Sequence, residues 1–199
     1  MTTKLYLIRH AETDYTRQKR YCGVAEPALN DAGILQAREL LRYFENITVD
    51  SVYTSPKRRA VDTSRIVFGK SRPIIKEESL REIDFGLWEG LTHAEALKRY
   101  PKEYSAWAKD PLNAMVERGE SFKRLKKRVV VFFDALLKND KGKTLAIVSH
   151  SGPIRVILCH ALKLSQSDFW NLKVEPASVN YLEYKDGIIK SNIKKQISK

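Results

Sequence analysis

Apolar positions in this chain change period several times, and each change marks a new element. Lys4 to Ile8 is a short, nearly continuous apolar run of the kind that forms a buried strand, and Arg9-His10 follows at its C-terminal end. Asn30-Asp31 then precede Ile34, Ala37, Leu40, Leu41 and Phe44 at helical spacing, which predicts a capped amphipathic helix. Val49 to Thr54 reads as a second strand. Ser55-Pro56 reads as an N-cap followed by proline at the first helical position, opening a helix that runs to about Phe68. Pro73 to Glu77 predicts a third strand, and Leu80 to Gly90, with two glycines and little periodicity, a loop.

Beyond the loop, Thr92-His93-Ala94-Glu95 has the spacing of a capping box, opening a helix to about Tyr100. Pro101 starts another that carries Tyr104 and Trp107. Together they predict a helical insert at about 92–120, placed as a lid or rim. From Ser121, the residues Phe122, Leu125, Val129, Phe132, Phe133, Leu136 and Leu137 recur every three or four positions, the stripe of a long core-facing helix. Thr144 to Val148 is another β-branched strand, delivering Ser149 and His150 just before a helix from Gly152 or Pro153 to Leu162. The setting of His10 is thereby repeated. Ser178 to Tyr184 and Ile188 to Asn192 flank Lys185-Asp186-Gly187, a hairpin that adds an antiparallel edge. Strands alternating with helices predict an α/β fold: a three-layer sandwich whose mostly parallel central sheet has an antiparallel edge strand and helices on both faces.

Composition narrows the class. The 199 residues suit a single domain, 1–199, and 30% charged with 43% hydrophobic residues describes a globular chain and excludes general disorder. A net charge of +12 attracts anions. Much of the surplus, on Lys123, Arg124, Lys126, Lys127 and Arg128 of one helix and Lys190, Lys194, Lys195 and Lys199 near the end, reads as solvated. No RNP, zinc-finger or helix-turn-helix pattern accompanies it, so no nucleic-acid partner is expected. The longest apolar run near the start, Leu5 to Ile8, is far shorter than a signal-peptide core or a membrane span, so no membrane partner and a cytoplasmic location are expected. Cys22 and Cys159 lack metal-ligand spacing and read as reduced thiols, and no metal or cofactor is expected. A homodimer stays open.

Four fragments carry the chemistry: Arg9-His10-Ala11-Glu12-Thr13, Ser55 to Ala60, Glu82 within the 80–90 loop, and Ser149-His150-Ser151-Gly152. Phosphoryl transfer requires cations and donors around the peripheral oxygens, an in-line nucleophile, and a proton for the leaving oxygen. Two His, two Arg and one Glu supply all three. A neutral imidazole such as His10 attacks without a separate base when a carbonyl holds its other nitrogen. Arg9 and Arg59 offer planar forks that match a phosphate dianion.

This ordered set resembles the histidine phosphatase superfamily, its cofactor-dependent phosphoglycerate mutase-like branch, from Lys4 to about Arg155. The resemblance implies a phosphomonoesterase working on a small phosphorylated metabolite, such as α-ribazole phosphate or phosphoserine, within a phosphoglycerate mutase-like fold. It further implies that His10 becomes phosphorylated, that Arg9 and Arg59 hold phosphate with a further bond from His150, and that Glu82 is first general acid and then base. Three positions depart from the family pattern: Ala11 and Ser151 each stand where glycine is frequent, and Thr16 stands where mutases carry a phosphate-contacting Asn. Thr16 is kept as a phosphate contact. Tyr15, Tyr21, Cys22 and Gly23 are placed on the substrate rim. Two other readings share these residues: a phosphoglycerate mutase, and a catalytically inactive module that binds a phospholigand or nucleic acid.

Overall fold

A computed structural model describes residues 1–69, 72–165 and 167–191. Among them, six strands, β1 (Thr3–Arg9), β2 (Ser51–Thr54), β3 (Ile74–Lys76), β4 (Thr144–Ser149), β5 (Val179–Lys185) and β6 (Ile188–Ser191), form one sheet in the order β3-β2-β4-β1-β5-β6. The pairs β3-β2, β2-β4 and β4-β1 are parallel, whereas β1-β5 and β5-β6 are antiparallel. The two antiparallel strands, the expected hairpin, therefore close one side of the sheet. The hairpin turns on Asp186 and Gly187, both at positive φ (50° and 82°), as a two-residue turn demands. Asn192, the expected end of its second strand, and Lys194, Lys195 and Lys199 lie outside the described residues.

Among the described residues eight helices surround the sheet: α1 (Asp14–Arg17), α2 (Asp31–Phe44), α3 (Arg58–Phe68), α4 (His93–Arg99), α5 (Pro101–Lys109), α6 (Phe122–Asn139), α7 (Ser151–Ala161) and α8 (Asp168–Asn171). Successive side chains of a strand face opposite ways, so the sheet carries two cores. Leu5, Leu7, Leu145 and Ile147 pack against the stripe of α6 and against Ile154, Ile157 and Leu158 of α7. On the other face Ile8, Val52, Ala146 and Val148 meet Leu40 and Phe44 of α2 and Ala60 and Val67 of α3. Each fully buried Leu or Ile contributes about 1.5–3 kcal/mol. No helix among the described residues is long and apolar enough to cross a membrane.

Four local expectations need correction. Leu41 stays 46% exposed, because one turn of α2 presents only Leu40 to the sheet. The N-cap of α3 is Lys57, not Ser55, since the Ser55 N–H still bonds Val148 O (2.9 Å) as a continuation of the sheet. The 80–90 loop holds short 3-10 turns at Glu78–Leu80 and Gly86–Trp88. Arg128 leaves the solvated face of α6: only 18% of its side chain is exposed, and it pairs with Glu120 at 2.8 Å.

Candidate active site

Register in the sheet assembles the site. Arg9 of β1 lies opposite Ser149 of β4, so His10 and His150 leave the sheet at one level, and Thr54 of β2 lies opposite Val148, so Ser55 leaves one residue earlier, beside Ser149. The His10 N–H bonds Ser149 O (2.9 Å), which ties the first exit to the second. This is the C-terminal edge where open α/β sheets gather their ligands.

His10 is 3% exposed and its ring centroid lies 5.1 Å from that of His150. Its Nδ1 is 2.8 Å from Ala11 O. A carbonyl only accepts, so Nδ1 carries the proton and Nε2 keeps its lone pair. Burial first, then the charges of Arg59 and Arg9, hold His10 well below the ordinary imidazole value, against an opposing pull from the Ala11 bond; the ring is neutral at neutral pH. His150 is likewise held well below that value by burial, then by Arg59, His10, Arg9 and Arg128. Its Nε2 meets Ser55 Oγ at 2.8 Å, and Ser55 Oγ also accepts the Lys57 N–H at 3.3 Å.

The two arginines are anchored by neighbouring carbonyls. Arg9 Nη1 donates to Val174 O (2.6 Å), while Arg59, fully buried, donates from Nη1 to Ala25 O (2.7 Å) and from Nη2 to Cys22 O (2.9 Å) and Gly23 O (3.2 Å). Arg9 Nε, Arg59 Nε and His150 Nδ1 are buried without a hydrogen-bond partner among the described residues. Unmatched buried donors are costly, and three of them around one imidazole describe a socket for an anion.

Glu82 completes the set. Its Oε1 accepts Ile83 N–H (2.9 Å), and its Oε2 accepts Gly152 N–H (3.1 Å) at the start of α7, with Ser151 Oγ at 3.5 Å. A Cβ on Gly152 would stand 2.2 Å from Glu82 Oε1, so the carboxylate takes this position because residue 152 lacks a side chain.

A cavity of about 510 Å³ opens over the cluster. Arg9, His10 and Glu82 line it, whereas Arg59 and His150 lie in the layer behind. Of the expected rim, Tyr21 and Cys22 face the cavity; burial pushes the Cys22 thiol up to about 11 despite Arg59, so it stays protonated. Gly23 and Tyr15 are outside the lining. Gly23 is packed beneath, where a Cβ would come within 2.0 Å of Ile83 O, and the Tyr15 hydroxyl lies near Gly90. Thr16 reaches the cavity wall, yet its hydroxyl accepts Thr13 N–H (2.9 Å) and donates to Thr13 O (2.9 Å) in the cap of α1. That hydroxyl is engaged locally.

The far wall is aromatic. Trp107 meets Trp88 and Trp170 edge-on at 5.5 and 5.6 Å, and His93 Nδ1 lies between the hydroxyls of Tyr21 (3.0 Å) and Tyr104 (3.1 Å). His93, at the start of α4, also lines the cavity. Sequence reasoning missed Arg155 and Glu175 in the cavity lining and the bond of Ser55 to His150. Arg155 alone had a local signal, as a cation one turn into the helix that follows His150. Among the described residues no three His, Cys, Asp or Glu side chains gather as a metal site.

A family profile described as Histidine phosphatase superfamily (branch 1) matches residues 5–192. Phosphoserine phosphatase 1 of Hydrogenobacter thermophilus is 32% identical over 194 residues, 96% of this chain and 92% of that protein. The adenosylcobalamin/alpha-ribazole phosphatase of Salmonella typhimurium is 30% identical over 185 residues, 92% of each chain. Among solved structures, the alpha-ribazole phosphatase from Shigella flexneri matches with a TM-score of 0.89 at 27% identity, over 95% of this chain and 94% of that one.

Proposed function

This chain belongs to the histidine phosphatase superfamily, branch 1, and from that premise we propose that His10 carries a phosphoryl group from a small phosphorylated metabolite to water. The observation that carries the reading is the His10 Nδ1 bond to Ala11 O, which leaves Nε2 unprotonated in a cluster where Arg9 Nε, Arg59 Nε and His150 Nδ1 are unmatched.

In the first step the Nε2 lone pair attacks phosphorus, and the bond from phosphorus to the ester oxygen breaks. The departing oxygen takes a proton from the Glu82 carboxyl, and the imidazole is left as a phosphorylated cation held by Ala11 O. Arg9 Nε, Arg59 Nε and His150 Nδ1–H bind the peripheral oxygens; the Ser55 hydroxyl donates to His150 Nε2 and so keeps the proton on Nδ1. In the second step the Glu82 carboxylate takes a proton from water, the resulting hydroxide attacks phosphorus, and the P–N bond breaks. Inorganic phosphate leaves, the electron pair returns to Nε2, and Glu82 is again protonated. Two guanidinium charges serve the dianion, and no metal enters the scheme.

Residues 1–199 act on this reading as one catalytic domain, with α4 and α5 roofing the cavity. Phosphoserine and α-ribazole phosphate are the first substrates to try, after the names of the relatives, and the aromatic wall faces whatever lies beyond the phosphate. Two free cysteines suit a reducing cytoplasm. The test is phosphate release from a panel of phosphorylated metabolites in excess EDTA, followed by acid-stable or base-stable protein labelling. Turnover in EDTA with base-stable label on His10, and loss of both in His10→Ala by about 10⁴-fold or more, is expected. A His10→Ala enzyme of normal rate removes His10 from the chemistry.

A further inference from the structure

Glu82 sits at the end of an irregular stretch, buried only at Leu80, whose carbonyls are taken by side chains. Leu80 O accepts from Ser149 Oγ of β4 (2.7 Å). Arg128 of α6 takes the other three: Nη1 donates to Ser79 O (2.7 Å) and Arg81 O (2.7 Å), and Nη2 to Glu82 O (3.1 Å). The same guanidinium is held from the opposite side by Glu120, with Nε to Oε1 and Nη2 to Oε2 both at 2.8 Å. Five bonds use all five N–H groups of the fork. Glu120 is itself joined to the loop, its N–H donating to Asp84 O at 2.8 Å, and its side chain is 16% exposed. A bidentate pair this sheltered is rigid where an exposed lysine would be mobile.

We propose that Arg128 is the positioning residue for Glu82, clamping the 79–82 backbone so that the carboxyl stays at the start of α7 beside His10. The inference rests on Glu82 being the proton donor of the first step, and it deepens that reading. Proton delivery demands placement within about 0.5 Å, and the backbone carbonyl of Glu82 is fixed by Arg128 while its carboxylate is fixed by Ile83 and Gly152.

The consequence is a selectivity for leaving group that a general loss of folded protein does not produce. A nitrophenolate departs without a proton, whereas an alkoxide requires one. Arg128→Met is expected to lower kcat/KM for an alkyl phosphate by about 30-fold or more, toward the full general-acid contribution, while p-nitrophenyl phosphate changes by less than about threefold. Arg128→Lys, which keeps the charge and loses the fork, recovers part of the alkyl phosphate rate. If Arg128→Met does not fold, Arg128→Lys and Glu120→Gln are expected to show the same selectivity at about tenfold. Glu82→Gln is measured alongside. Selectivity in Glu82→Gln with equal losses, or none, in the Arg128 variants overturns the positioning role alone. No selectivity in Glu82→Gln overturns its role as acid, and the inference with it.

Discussion

Two walls of one cavity are built by opposite means. At the ends of β1, β2 and β4 the side chains are buried and their places follow from strand register, with His10 and His150 leaving neighbouring strands at one level and Ser55 one residue earlier. Across the cavity α4 and α5 hold an aromatic cluster, Trp88, Tyr104 and Trp107 against Tyr21, through ring contacts near 5–6 Å and one shared histidine. Directional bonds leave little freedom to the first wall, and ring packing leaves much to the second. On the proposed reading, the strand ends hold the phosphate and the roof meets the group that lies beyond it.

The sharpest way to break that division is Gly152→Ala. The new methyl group meets the end of the Glu82 side chain, which can swing aside, not backbone, and alanine is the better helix former, so the melting temperature should hold or rise slightly. With Glu82 displaced, kcat/KM for an alkyl phosphate should fall by about 100-fold. Loss of stability together with unchanged turnover contradicts the close approach.

Acid should strain the first wall more than the second. Free imidazole titrates near 6.5, and the folded values of His10 and His150 lie well below it because of burial and the adjacent arginines. Below about pH 6.5 the unfolded chain binds protons that the folded chain refuses, so stability is full above that pH and is lost as pH falls toward the folded values. Each histidine contributes up to about 1.4 kcal/mol per pH unit. Urea midpoints between pH 7.5 and 5 should show the decline, and His93→Asn, altering the half-buried histidine of the roof, should leave most of it. A flat profile in the parent protein removes the linkage.

Smaller effects sharpen the same contrast. Ser55→Ala frees His150 to rotate and should cost roughly tenfold in kcat, with KM little changed; an unaltered kcat means that His150 is oriented by other groups. Trp107→Ala thins the roof and should raise KM about threefold for a substrate with a large leaving group, while kcat for p-nitrophenyl phosphate stays near the parent value. A kcat collapse in that variant assigns the roof to the chemistry.

Much of the scaffold was legible from period alone. The runs at Lys4–Ile8 and Thr144–Val148 became β1 and β4 because alternating faces of a central strand are both buried, and the Phe122–Leu137 stripe became α6 because three- and four-residue steps align on one side of a helix. His10, Arg9, Arg59, Glu82 and His150 were singled out as a set because together they offer the nucleophile, cations and proton that phosphoryl transfer requires, and because their order resembles the histidine phosphatase superfamily. Ser55 had looked like a helix cap, since a serine before proline fits that pattern locally; its partner is 95 residues away. Arg128 had looked like one of several solvated cations, because a helix period says which face a residue is on and not what packs over that face.

The order of apolar and polar residues thus determined the elements and the layering, since periodicity acts over a few neighbouring positions, and residue chemistry together with the family resemblance pointed to the candidate reactive groups. Tertiary structure alone decided which donors stay unmatched beside His10, how Gly152 admits Glu82, and that Arg128 is a clamp. Those properties arise where segments far apart in the chain come into contact, and such contacts are set by sheet register and packing.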